Sequence, residues 1–253
     1  MARVSEAKQC YDTTHLTHWS DARGEHPLLA TRILWSPHEA RMILCREAIL
    51  EAHADGRIVI DPFEKDLVGI NSVDVRLGND VWELTGTEPR DLYTDDSSRW
   101  RKLKPVKAGA FRQVYPDFGL DVLEDDDDCY IFRSGGFYLA TSMEAIGTSV
   151  NPKGKDADYA IVPEMKARST VGRQGLTVAL CAGLGDVGYA SRWALEVRVV
   201  DNGDIVLAVG TPIAQVVFHR ATATDAVYGG ETRYQNEGTV RFTPKPLRVF
   251  RNE

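Results

Sequence analysis

The sequence predicts a mainly β protein, a β-barrel or jelly roll of short strands preceded by one short helix. Apolar and polar residues alternate in short bursts between residues 58 and 218, whereas a helical period occurs only before Gly56. Many short strands with one early helix are typical of a barrel or jelly-roll core. The 253 residues are 43% hydrophobic, which is enough for one sizeable core.

The helix is predicted to begin at SPHE, residues 36–39. This stretch offers an N-cap serine, a proline at the first helical position and a glutamate three residues after the cap. We expect the helix to continue through RMILCREAILEAHADGR and to end at Gly56. Its predicted apolar side consists of Ile43, Ala48, Leu50 and Ala54.

Strands are predicted wherever apolar residues recur at every second position. A turn at Asp201-Asn202-Gly203-Asp204 is expected to join the last two alternating stretches as a hairpin. The alternating apolar positions are Ile58 and Ile60; Val73, Val75 and Leu77, with Asp74 and Arg76 between them; several positions in CYIFRSGGFYLAT at 129–141; Trp193, Leu195, Val197 and Val199; and Ile205, Leu207 and Val209.

Two regions interrupt this pattern. Residues 1–41 form a polar N-terminal extension to the domain at 42–253, and its His15 and His18 lack the partners of a metal site. From about 85 to 130 the alternation is lost, which indicates an insertion. Its EDDDD run at 124–128 is expected to be a solvated loop, with calcium binding as the minor alternative.

Composition excludes several classes of function. The net charge is −7 and the chain has no long Lys/Arg block, which argues against nucleic-acid binding. No apolar run approaches the length of a membrane span, and no signal peptide is visible, so we expect a soluble, cytoplasmic protein. Cys10, Cys45, Cys129 and Cys181 form no CxxC pair and are expected to be reduced thiols.

Two stretches carry candidate chemistry. ARSTVGRQGL at 167–176 combines two hydroxyls and two guanidinium groups within six residues, which could bind one phosphate chain or could be an N-capped loop with surface arginines. Further along, Glu196 faces away from Trp193 and Leu195 in an otherwise apolar alternation. A lone carboxylate on a strand is usually exposed, and only its neighbours suggest a further role.

Several motifs follow one another between about residue 42 and residue 240. They are MILCREAILEAHADGRIVIDPF, SVDVRLGN, GGFYLATSMEAI, RSTVGRQGL, DVGY followed by LE, GTPIAQVVF and YGGETRYQNEG. These motifs and their order resemble the dCTP deaminase branch of the dUTPase-like superfamily.

The resemblance implies a homotrimer of distorted β-barrels with active sites between subunits. Each site would bind a deoxynucleoside triphosphate with Mg²⁺ and remove the amino group of cytosine by hydrolysis, without zinc. The chain has no HxE followed by PCxxC, the signature of zinc deaminases. A C-terminal segment from about residue 225 would close over the nucleotide.

The resemblance also assigns individual roles. Glu196 would be the general base and acid, Arg173 would hold that carboxylate, and the carbonyl of Ala182 would help to aim the attacking water. Ser169 would belong to both the catalytic and the phosphate-binding set, and Tyr189 would lie near the sugar and base. The implied substrate-binding residues are Arg168, Ser169, Thr170, Arg173, Asp186, Tyr189, Gln215, Tyr228, Arg233 and Glu237.

The chain departs from the family pattern at several positions. Val187 stands where the family usually has proline, and Arg233 and Glu237 replace a lysine and a glutamine. Three functions therefore compete. They are a dCTP deaminase that forms dUTP, a bifunctional deaminase and diphosphatase or a dUTPase, and a nucleotide-binding regulatory protein without turnover.

Overall fold

The computed structural model describes residues 43–93, 97–149, 159–180, 182–222, 224 and 228. The described part is mainly β, with strands in antiparallel sheets and three short α-helices among the described residues. The helices are α1 (Arg46–Ala54), α2 (Ala108–Val114) and α3 (Ser169–Arg173). The strands are β1 (Ile58–Asp61), β2 (Val73–Leu84), β3 (Trp100–Lys102), β4 (Val106–Lys107), β5 (Asp128–Phe132), β6 (Phe137–Thr148), β7 (Tyr159–Ala167), β8 (Leu176–Val178), β9 (Ala190–Val199), β10 (Ile205–Ala208) and β11 (Pro212–Thr222).

The larger sheet is organised around β6. Its strand order is β7-β11-β2-β6-β9-β8, and β1 and β3 add to β6 and β2. Residues 138–142 of β6 pair with β2 and residues 145–148 pair with β1, while β9 pairs with both stretches of β6. The smaller sheet has the order β10-β5-β4.

The predicted closed barrel is not formed by these strands. Within the described residues β7 and β8 are the two ends of the strand order, so hydrogen bonding leaves the larger sheet open. The prediction of a mainly β architecture is confirmed, and closure into a barrel is the part that the observed pairing does not support.

The predicted alternation is confirmed in β1, β2 and β9, but not in β10, where Ile205, Val206 and Leu207 are all half-buried. Ile58, Ile60, Val73, Val75, Leu77, Trp193, Leu195, Val197 and Val199 are all buried. The residues between them on β2 and β9 are half-buried or exposed. Hydrophobic burial on one face of each strand therefore determines which side chains remain on the polar face.

Helix α1 is shorter than predicted. The SPHE stretch lies outside the described residues, and the helix begins only at Arg46, because Ile43 forms a bridge with His219 and the Leu44 N–H donates to the Phe218 carbonyl. The helix buries Ile49 and Ala52 most deeply. Of the predicted apolar side, Ala48 and Leu50 pack against the core, whereas Ile43 and Ala54 are exposed.

The predicted helix end is confirmed at Gly56. This residue has φ +74°, a conformation that glycine adopts at low cost, and its N–H donates to the His53 carbonyl. None of the described helices is long and apolar enough to cross a membrane.

The stretch from 85 to 130 contains regular structure that the loss of alternation did not predict. Strands β3 and β4 and helix α2 lie within it. The acidic run at 124–128 forms turns leading into β5, where Arg112 pairs with Asp125 and Lys107 with Asp128. Basic side chains from α2 and β4 thus form ion pairs with the acidic run, which was expected to be a solvated loop.

The hairpin predicted across residues 201–204 was also wrong. Strand β10 follows this turn but pairs with β5, with Leu207 opposite Tyr130, while β9 pairs with β6 and β8. The turn therefore carries the chain from one sheet to the other. A local turn signal does not determine which strand will be the partner.

One ion pair lies inside the larger sheet. Glu144 of β6 is fully buried, and its carboxylate accepts hydrogen bonds at 2.9 Å from the Arg76 backbone N–H and 2.6 Å from Arg76 Nε. Arg76 Nη1 also lies 2.6 Å from Glu64. The pair connects β2 with β6 near the point where their register shifts.

Removing the Glu144 charge should destabilise the fold strongly. Glu144→Gln would leave the Arg76 guanidinium without its buried carboxylate, so we expect a loss of about 3 kcal/mol in the free energy of unfolding. Urea unfolding of the variant and the native protein measures this loss.

The matched control is Glu83→Gln, which breaks a pair with Arg101, a residue 67% exposed. We expect a change below about 1 kcal/mol in this control. Equal losses of unfolding free energy in the two variants would show that the buried Glu144–Arg76 pair stabilises the fold no more than an exposed pair does.

Candidate functional site

The predicted phosphate run lies at the end of β7. The Arg168 backbone N–H donates to the Ile213 carbonyl at 3.3 Å, and residues Ser169–Arg173 then form α3. Val171 is buried and anchors the helix, whereas Ser169, Thr170 and Arg173 are exposed. The hydroxyls and the Arg173 guanidinium are therefore available to a ligand from solvent.

Arg168 is held by a residue that sequence reasoning did not include in the site. Its Nη2 lies 3.2 Å from the Asp74 carboxylate on β2. Burial raises the pKa of Asp74, and the Arg168 charge opposes this rise. The alternation in SVDVRLGN placed Asp74 on the polar face, but only the packing of β7, β11 and β2 brings it to Arg168.

Gln215 occupies the same polar face. It lies opposite Asp74 in the pairing of β11 with β2 and opposite Lys166 in the pairing with β7. The Ser72 hydroxyl donates to Gln215 Oε1 at 3.3 Å. The structure thus groups two predicted substrate-binding residues, Arg168 and Gln215, around Asp74.

Glu196 lies on β9 as predicted, half-buried on the face opposite the buried Trp193 and Leu195. Its cross-strand neighbour on β6 is Leu139. On the other side its carbonyl accepts a hydrogen bond from the Ala179 N–H at 2.9 Å. The carboxylate is therefore carried by a central strand that is paired on both sides.

The β8–β9 register separates Glu196 from α3 along the sheet. Leu176, just after α3, lies opposite Val199, whereas Ala179, just after β8, lies beside Glu196. Three strand residues span about 10 Å. Glu196 and the phosphate run therefore lie near opposite ends of β8 within one chain.

The segment that carries Ala182 is anchored on both sides. Ala179 has φ +54°, a strained conformation for a residue other than glycine. The Gly183 carbonyl accepts from the Met165 N–H at 2.6 Å, and the Gly185 N–H donates to the Pro163 carbonyl at 2.8 Å. Ala182 is exposed and lies between these two bonds and the earlier one that the Ala179 N–H donates to the Glu196 carbonyl.

The turn at residues 186–189 is bound to the end of β6. The Gly188 N–H donates to Thr148 Oγ1 at 2.9 Å, and the Thr148 N–H donates to the Tyr189 carbonyl at 2.8 Å. Within the turn, the Tyr189 N–H donates to the Asp186 carbonyl at 3.0 Å. Asp186 itself is exposed.

Tyr189 and Tyr228 are brought together. Their ring centroids are 5.2 Å apart at an interplanar angle of 89°, and Tyr189 makes a similar edge contact with Trp193. The Tyr228 N–H donates to the Val187 carbonyl at 2.6 Å. Burial raises the pKa of Tyr189 to about 12, so its phenol is neutral near pH 7.

Two predicted site residues, Arg233 and Glu237, lie outside the described residues. Across the part of the chain that the structure describes, no group of three or more His, Cys, Asp and Glu residues could hold a metal ion.

The family model and the similar proteins that match this chain all point to the same family. A family model described as dCTP deaminase-like matches residues 43–221. A protein of Methanospirillum hungatei named "dCTP deaminase, dUMP-forming" is 29% identical over 199 residues, covering 78% of this chain and 92% of the relative. A protein of Leptospira biflexa with the same name is 26% identical over 197 residues, covering 78% and 92%.

Among solved structures, a 2'-deoxycytidine 5'-triphosphate deaminase from Agrobacterium tumefaciens matches with a TM-score of 0.48 and 18% identity. The match covers 72% of this chain and 48% of the Agrobacterium chain.

The raised pKa of Tyr189 predicts alkaline sensitivity. Because the folded-state value of about 12 lies above the ordinary value of 10, the stability that this phenol contributes is complete below pH 10 and is lost as pH rises toward 12. We expect Tyr189→Phe to remove about 2 kcal/mol of this alkaline loss in unfolding free energy.

Denaturant unfolding at several values between pH 9 and pH 12 measures the effect. Tyr93→Phe is the control, because Tyr93 is 61% exposed. If the unfolding free energy falls equally with pH in the native protein and in Tyr189→Phe, the raised pKa of Tyr189 is contradicted.

Proposed function

Because the chain belongs to the dCTP deaminase-like family, we propose that it deaminates dCTP by hydrolysis, without zinc. The observation that carries the proposal is the position of Glu196. Its carboxylate lies half-buried on a central strand, beside the anchored segment that presents Ala182. A general base needs such a fixed place next to a site for water.

The reaction requires one water, both of whose protons move through Glu196. Glu196 removes a proton from the water while its oxygen bonds to C4 of cytosine. The carbonyl of Ala182 accepts a hydrogen bond from that water and so aims it. Glu196 then delivers this proton to N3 of the ring, takes the remaining proton from the C4 hydroxyl and passes it to the amino group, so that the C4–N bond breaks and ammonia leaves with a carbonyl at C4. General acid–base catalysis of this kind contributes about 10²–10⁴-fold in rate.

The triphosphate is proposed to bind at α3 and its flanks. Arg168, Ser169, Thr170 and Arg173 supply guanidinium and hydroxyl donors, and the exposure of the three α3 residues supports this role. Arg233 would add a contact from the C-terminal segment. Mg²⁺ would arrive with the nucleotide, whose phosphate oxygens are ligands it prefers.

We extend the proposal to a homotrimer whose sites lie between subunits. Two observations support it. Glu196 and α3 lie near opposite ends of β8 in one chain, so a second copy could complete each site. Leu180 and Leu184, on either side of Ala182, are 43% and 72% exposed, and a subunit interface would cover these apolar side chains.

A second candidate retains deamination and adds cleavage of the triphosphate, with dUMP as the product. The names of the relatives from Methanospirillum hungatei and Leptospira biflexa favour it. This activity requires a second water, activated at the α-phosphate.

One assay tests the proposal and separates the candidates. The protein is incubated with dCTP and, separately, with dUTP, and both ammonia and pyrophosphate are measured. Ammonia alone from dCTP indicates a deaminase that forms dUTP, and ammonia with pyrophosphate indicates dUMP formation. Nucleotide binding without either product would refute both candidates and support the regulatory alternative.

Glu196→Gln should reduce turnover strongly while retaining nucleotide binding. The amide is nearly isosteric with the carboxylate but cannot accept the proton, so we expect kcat to fall by about 10²-fold or more. Ammonia release and calorimetric binding of dCTP are the two measurements. Glu164→Gln, on β7, is the matched control; near-normal ammonia release by Glu196→Gln would remove Glu196 from the mechanism.

A further inference from the structure

The turn at residues 186–189 contains no proline, because Val187 follows Asp186. A proline would restrict the backbone torsion at this position and would lower the entropy cost of ordering the turn. Another interaction must therefore keep the turn in one shape.

Thr148 supplies two such interactions from the last position of β6. Its hydroxyl accepts the Gly188 N–H and its own N–H donates to the Tyr189 carbonyl, at 2.9 and 2.8 Å. Thr148 is 2% exposed and Gly188 is also buried. Since water does not replace these bonds freely, losing the hydroxyl would leave the Gly188 N–H without its partner.

Gly147 makes the contact sterically possible. A Cβ atom built at this position would lie 1.8 Å from the Tyr189 carbonyl oxygen, closer than atoms can approach. The backbones of β6 and the turn therefore touch directly at Gly147, and Thr148 follows at once with the two hydrogen bonds. The contact between β6 and the turn therefore depends on both Gly147 and Thr148.

We infer that Thr148 is a positioning residue that holds the 186–189 turn in the shape that binds the nucleotide. The inference rests on the proposed function, in which Tyr189 contacts the sugar and base. Tyr189 packs on Trp193 and Tyr228 on the same side of the molecule, so a shift of the turn would displace this aromatic group. Thr148 thereby determines the affinity for the nucleoside part of the substrate without touching it.

The test compares two valine substitutions on the same strand of the full-length protein. Thr148→Val removes the hydroxyl that accepts the Gly188 N–H. Thr141→Val is the matched control, because Thr141 is also buried, at 1% exposed, and its hydroxyl donates to the Asp80 carbonyl. Both variants lose one buried hydroxyl, and only the first disturbs the turn.

We expect the Kd for dCTP, measured by calorimetry, to rise about tenfold in Thr148→Val and less than about twofold in Thr141→Val. The effect on activity should fall mainly on KM, with kcat reduced by less than about threefold. Thr148→Ser, which keeps the hydroxyl, should restore the affinity to within about threefold of the native value. Hydrogen exchange of the amides at 186–189 should quicken only in Thr148→Val.

Equal affinities in Thr148→Val and Thr141→Val would overturn the inference, as would a Thr148→Ser variant as weak as Thr148→Val. If Thr148→Val is too unstable to purify, Thr148→Ala takes its place in the same comparison. A native protein that binds dCTP but releases no ammonia would refute the proposed reaction, and the binding comparison would still decide the role of Thr148. A native protein that binds no deoxynucleotide would overturn both the proposed reaction and the proposed role of Thr148.

Discussion

The buried pair of Glu144 and Arg76 is the constraint on which the rest of the larger sheet depends. A carboxylate with no exposed surface is tolerable only when its charge is compensated, and here the compensating guanidinium comes from the neighbouring strand β2. Glu144 lies near the points where the register of β6 shifts against β2 and β9. The Ser142 hydroxyl donates to the Glu144 carbonyl and accepts the Trp193 N–H in the same region. These bonds keep β2, β6 and β9 in one relative position.

The relative position of β2, β6 and β9 determines where the residues of the candidate site lie. Strand β9 presents Glu196 on its polar face, β8 leads from α3 to the Glu196 backbone, and the end of β6 holds the turn with Tyr189. The residues proposed to act on the base thus lie on or beside central strands, whereas those proposed for the phosphates lie on an exposed helix. Rigid placement suits proton transfer, because the carboxylate, the water and C4 must meet within hydrogen-bonding distance.

The sequence predicted those features that depend on local periodicity. The buried faces of β1, β2 and β9 and the helix end at Gly56 were all evident from it. It did not predict that Ile43 would pair with His219 instead of joining the helix, or that β10 would pair with β5, because these contacts join residues far apart in the chain. Asp74 and Thr148 were missed for the same reason. Each is an ordinary polar residue until packing brings it to Arg168 or Gly188.

The most direct test of the proposed site is a crystal structure of the Glu196→Gln variant with dCTP and Mg²⁺. We expect the introduced glutamine amide to face C4 of cytosine and Tyr189 to lie against the nucleoside. We also expect the triphosphate to contact the Ser169–Arg173 helix of a neighbouring subunit in a trimer. Cytosine bound away from the polar face of β9, or a complete site within a monomer, would contradict the proposed site.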